Sequence, residues 1–148
     1  MVAPAGMHPG QRSWRMLLVI AGLHDCGLAA YHFILPRHMQ WERGLVGVPD
    51  SLTWALFALN FSWSLLLFLA GALVLYAARI GSSAPRFARV TIFTIGLFWA
   101  IHGTYTVLNP FPLPPAMSWV RIVIALFPLI VVALHWMPLA LTRQRRTF

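Results

Sequence analysis

Residues 52–78 read LTWALFALNFSWSLLLFLAGALVLYAA, and no Asp, Glu, Lys, Arg or His interrupts them. At a rise of about 1.5 Å per residue, this stretch exceeds the roughly 20 residues needed to cross the hydrocarbon of a bilayer. Lipid offers no water to unpaired backbone groups, so such a run is expected to be a helix. Working outward, residues 16–35, 90–108 and 119–141 are apolar runs of spanning length. The fold expected is all-α: an integral membrane, up-down-up-down four-helix bundle forming a single transmembrane domain with short connections.

Composition agrees. Hydrophobic residues make up 59% of the 148 and charged residues 9%, against roughly 25% charged in a soluble domain, whose surface must be hydrated. Most of this surface is therefore expected to face lipid. The formal charge of +8 comes entirely from arginine, since the chain has no lysine. With abundant Ala and Leu, this indicates a GC-rich bacterial genome. The arginines lie between the apolar runs and at the ends of the chain. They form no basic face with interleaved aromatics, which argues against nucleic acid as a partner.

The gaps between runs carry turn signals. Pro36 is expected to stop the first helix, and Pro49-Asp50-Ser51 to cap the second. Gly81-Ser82-Ser83 with Pro85 reads as a turn, Asn109 to Pro115 as a stiff extended link, and Pro128 as a kink in the fourth helix. Arg12, Arg15, Arg79, Arg86, Arg89, Arg143, Arg145 and Arg146 fall on one side, and Arg37, Arg43 and Arg121 on the other. The positive-inside rule then puts both termini in the cytoplasm of a bacterial inner membrane. Arg12 to Arg15 followed by an apolar run has the outline of a signal peptide. The run is longer than a typical h-region, however, and His24-Asp25 sits at its centre, so an uncleaved span is expected.

Candidate chemistry lies in the few polar residues inside the runs. Counted from the outer ends at about 1.5 Å per residue, His32 lies about 4–5 Å deep, His102 about 9 Å, Asn60 about 13 Å, Asp25 about 15 Å and His24 about 16 Å. An ionised carboxylate at such a depth costs a few kcal/mol, so Asp25 must be neutral, paired or beside a wet cavity. Asp25 and His32 share a helix face; His102, Tyr105 and Asn109 form a second polar stripe, with Thr106 beside them; Thr53, Asn60 and Ser64 form a third. Turned inward, these stripes would line a polar pocket in the outer half of the bundle, with Asp25, His32, Asn60, His102, Tyr105 and Asn109 as its walls and Arg121 as an anion anchor. The bland counterpart is hydrogen bonding between helices, and for Arg121, snorkelling to the headgroups. His135, nearer the cytoplasmic face, stands apart on this reckoning.

Other chemistries are limited by what the chain lacks. Cys26 is the sole cysteine, which excludes a CxxC thiol oxidoreductase and a zinc–thiolate site. His32, His38 and Glu42 make the best metal trio, though a weak one. A b-type haem would need two histidines at matching depth. His24 and His102 differ by about 7 Å, and His32 and His102 by about 4–5 Å. No Ser/His/Asp arrangement or phosphate loop is present.

Tyr31-His32-Phe33-Ile34-Leu35-Pro36-Arg37-His38, followed by Trp41 and by Leu59-Asn60, resembles small bacterial four-helix membrane proteins of the DoxX-like group. The shared layout is a Gly-containing first helix, a Pro-bearing outer loop and a second helix with a central polar residue. The resemblance implies the same topology and a membrane redox setting for some members. The chain has no thiol pair or cofactor ligand set that would carry a catalytic role across.

The function expected is therefore a small-ligand-binding bundle or a non-enzymatic subunit, working as a homo-oligomer or within a larger membrane complex, with membrane lipids around it. Two readings stand beside it. One is a membrane enzyme or proton-coupled carrier for a lipophilic substrate such as a quinone; the other is a b-type haem protein.

Overall fold

The computed structural model describes residues 9–81, 83–110 and 117–143. Its helices are α1 (Pro9–His38), the single turn α2 (Trp41–Gly44), α3 (Asp50–Ile80), α4 (Pro85–Leu108) and α5 (Ser118–Arg143). No strand occurs among the described residues. α1, α3, α4 and α5 are each long and apolar enough to cross a membrane.

The first boundary departs from expectation at Pro36. α1 does not stop at Pro36 but runs through it to His38. A proline in a helix lacks the N–H that would bond the carbonyl four residues earlier, here that of His32. The Asn60 amide, reaching across from α3, donates to the His32 carbonyl oxygen at 2.8 Å and so replaces the missing donor. Within Pro49-Asp50-Ser51 the N-cap of α3 is Pro49, and no side chain caps this helix. The Pro49 carbonyl instead accepts from the Leu52 and Thr53 amides at 2.9 and 3.0 Å, and Asp50 begins the helix where its charge suits the positive end of the dipole. Elsewhere the signals hold: Gly81 and Ser83 form a turn, Pro85 opens α4 where its missing N–H costs nothing, and α4 ends at Leu108. Most of the proline-rich link, residues 111–116, lies outside the described residues.

α1 and α3 run antiparallel in close contact. Trp14 lies on Gly81, Gly22 on Gly71, the Cys26 thiol against the Phe68 carbonyl at 3.9 Å, and His32 against Asn60. Gly22 and Gly71 face each other across the crossing. A Cβ on either would lie within 3.0 Å of the other's carbonyl oxygen, so only glycine lets the backbones approach this closely.

α4 and α5 form a second antiparallel pair. Gly103 packs on the Pro128 ring, and Gly96 on the Trp136 indole. That indole stacks on Phe93 with centroids 5.9 Å apart and donates to the Phe93 carbonyl at 3.4 Å. α5 passes through both Pro128 and Pro138 without ending. α1 also touches α5, and α3 touches α4.

The buried core is small-residue rich: Ala21, Ala29, Ala77, Ala78 and Ala88 are buried with Leu18, Leu67, Val74, Ile92, Trp99 and Val131. The outer surface is apolar along the spans, with Leu59, Leu66, Val90, Ile101, Ile122 and Ile130 all exposed.

Candidate functional site

Among the described residues three polar side chains are fully buried: Asp25, Ser64 and His135, each at 0% exposure. Ser64 is satisfied locally, donating to the Asn60 carbonyl one turn earlier at 2.6 Å. The other two meet each other. His135 Nε2 lies 3.2 Å from Asp25 Oδ2, and His24 Nδ1 lies 3.0 Å from Oδ1. The carboxyl of α1 is thus bracketed by an imidazole from its own helix and one from α5.

Hydrogen-bond bookkeeping fixes how many protons this triad holds. His135 Nδ1 is 2.8 Å from the Val131 carbonyl, and a carbonyl can only accept, so Nδ1 carries a hydrogen. The contact between Nε2 and Oδ2 then needs one more, placed either on the carboxyl or on the imidazole. Both placements leave the Asp25–His135 pair without net charge, the condition under which an acid can sit at zero exposure. His24 donates from Nδ1 to Oδ1, and no described group bonds its Nε2. His135, by contrast, commits both ring nitrogens.

His135 was missed by counting depth along the sequence. α1 continues three residues past the expected end at Leu35, to His38, which sets Asp25 about 4–5 Å deeper at the helical rise and closer to the level of His135. The available signal was the energetic one. A buried carboxyl requires a partner, and His135 is the basic residue placed well inside the fourth apolar run.

A cluster of packed aromatic rings adjoins the triad. The His24 ring lies 5.8 Å from Trp99 and 5.2 Å from Phe127. His102 lies 5.7 Å from Trp99 and 5.4 Å from Trp63, and stacks on Phe98 with an interplanar angle of 9°. Trp99 is the hub, 1% exposed. Its Nε1 is buried and has no hydrogen-bond partner among the described residues, an arrangement that costs about 1–3 kcal/mol. Sequence patterning gave no reason to single out Trp99, since an indole in an apolar run reads as core.

The remaining expected site residues divide between a clamp and the surface. Asn60 holds His32 at two points, the carbonyl at 2.8 Å and Nδ1 at 3.4 Å, so their shared role is the continuation of α1 through Pro36. Tyr105 and Asn109 are exposed, and the Asn109 amide bonds back to the Tyr105 carbonyl at 3.3 Å. The Thr106 hydroxyl bonds to the His102 carbonyl at 2.9 Å. Among the described residues no hydrogen bond joins the His32–Asn60 pair to the Asp25 triad. Arg121 falls at the start of α5, and its side chain lies outside the described residues. No group of three or more His, Cys, Asp and Glu among the described residues is arranged to hold a metal ion, His32, His38 and Glu42 included.

No protein-family model, curated protein sequence or solved structure matches the chain.

Proposed function

We propose that this chain is a multi-pass protein of a bacterial inner membrane, an up-down-up-down four-helix bundle with both ends cytoplasmic, that binds a small, flat, lipophilic molecule bearing an oxygen atom, of the quinone or quinol class. The unpaired Trp99 Nε1–H beside His24 and His102 carries this reading. An orphan donor on a ring flanked by Phe98 and Phe127, with Trp63 beyond against His102, suits an oxygen on an aromatic or quinonoid ring: the oxygen accepts from the indole while the ring lies among aromatic faces. His24 Nε2, which no described residue bonds, is available as an acceptor should that oxygen carry a hydrogen. The triad behind it keeps one mobile proton between Asp25 and His135 and fixes the orientation of His24. In this reading the ligand site belongs to the middle of the bundle rather than to its outer mouth.

Binding of ubiquinone-1 to the full chain in nanodiscs tests the proposal, read by isothermal titration calorimetry against empty nanodiscs. Saturable binding is expected, weakened about tenfold by Trp99→Phe, which keeps the ring but removes the donor. Binding no greater than partition into empty discs, or unchanged by Trp99→Phe, overturns it.

A further inference from the structure

We infer that the cytoplasm-proximal end of α1 carries a docking site for one anionic phospholipid, its phosphate held by Arg12 and Arg15 and its acyl chain laid along Met16, Val19 and Ile20. Met16, Val19 and Ile20, with the aliphatic stems of Arg12 and Arg15, line an open, wholly apolar groove on one face of α1. Their spacing of i, i+3, i+4, i+7 and i+8 places them on one stripe of the helix, charged at its start and apolar beyond. A lipid presents the same order, headgroup first and hydrocarbon after.

Charge complementarity selects the occupant. Trp14 packs on Gly81, so the start of α1 lies at the same end as Arg79 in the last turn of α3 and Arg86 and Arg89 in the opening turns of α4. The chain's three acidic residues are all elsewhere: Asp25 is buried in its triad, and Glu42 and Asp50 lie at the opposite end. Among the described residues no carboxylate pairs with any of these arginines. Arg86 even stands in the first turn of α4, at the positive end of its dipole, with no acid beside it, where a cation is disfavoured. A basic surface so consistently stripped of counter-charge is neutralised by anionic headgroups. Within it, Arg12 and Arg15 stand at the head of this apolar groove.

Native mass spectrometry of the full chain in detergent tests this with dioleoyl-phosphatidylglycerol, dioleoyl-phosphatidylcholine and inorganic phosphate. Retention of phosphatidylglycerol over phosphatidylcholine is expected. Each exposed arginine near an anionic headgroup is worth roughly fivefold in affinity, so Arg12→Gln with Arg15→Gln lowers phosphatidylglycerol retention about 30-fold. Arg86→Gln with Arg89→Gln removes the same charge away from the groove and is expected to cost much less. Equal retention of the two lipids overturns the assignment. Equal loss in both double variants does so too, since it indicates diffuse charge rather than a site. Displacement of the lipid by millimolar inorganic phosphate, or phosphate retention without lipid, shows a free-anion site and also overturns it.

Discussion

Replacing His135 with leucine removes one of the two imidazoles around Asp25 while nearly preserving volume, so the loss reports the polar interaction rather than a cavity. Both partners are at 0% exposure, and solvent offers Asp25 no substitute. The position of the shared proton bounds the magnitude. A bond between neutral groups on two membrane helices averages about 0.6 kcal/mol and reaches about 1.7. A carboxylate left without its imidazolium loses about 3–5 kcal/mol. Asp25→Asn separates these limits, because its amide oxygen accepts from His24 Nδ1 and its amide nitrogen donates to His135 Nε2, reproducing the neutral arrangement of the 3.0 and 3.2 Å contacts. The asparagine variant is therefore expected to unfold within about 1 kcal/mol of the parent, and His135→Leu to fall well below it. The assay is reversible unfolding by SDS in mixed micelles, completed as a double-mutant cycle with Asp25→Leu. The double variant is expected to lose at least about 1 kcal/mol less than the sum of the single losses. Single losses that simply add refute the pairing and the proton bookkeeping built on it.

Asn60→Ala uncovers the His32 carbonyl above Pro36 and is expected to cost about 1–3 kcal/mol; adding Pro36→Ala restores that carbonyl's own N–H and recovers most of the loss, measured by the same unfolding assay. Gly71→Ala places a Cβ 2.7 Å from the Gly22 oxygen and 2.8 Å from the Cys26 amide nitrogen, backbone atoms that cannot swing aside, and is expected to lower the unfolding midpoint by the equivalent of about 1–3 kcal/mol. Gly27→Ala meets nothing within 4 Å and gains about 0.5–1 kcal/mol of helix propensity, so the two alanines should move the midpoint in opposite directions. Trp99→Phe deletes the orphan N–H and is expected to leave unliganded stability unchanged or raised, by up to about 1 kcal/mol; a clear loss shows that the indole nitrogen has a structural partner.

The four long helices were legible from residues 52–78 outward because membrane spanning is a constraint of length and polarity, both written locally. The second boundary of α1 was not, because proline's rule concerns one helix and its exception lay on another: Asn60 can replace the absent donor only once α1 and α3 are side by side. Asp25 announced itself as a residue in need of a partner, yet its partner came from the far end of the chain, where depth counting accumulates the error of each boundary. His102 and Asn60 were singled out as polar groups within spans, and both do face neighbouring helices, though one contacts aromatic rings and the other a carbonyl. Trp99 was invisible for the opposite reason: its significance is a missing bond, and no residue pattern records which donor will be left without an acceptor.

The triad also imposes an order on biogenesis. Asp25 and His135 are separated by 110 positions, and at 5–20 residues per second the ribosome needs roughly 5–20 s to make that interval. For that time the first span, already synthesised, carries an acid with only His24 beside it. Until the last helix arrives, the nascent chain must therefore hold that acid neutral or give it another partner. Truncation before α5 leaves α1, α3 and α4 with an acid only half accommodated.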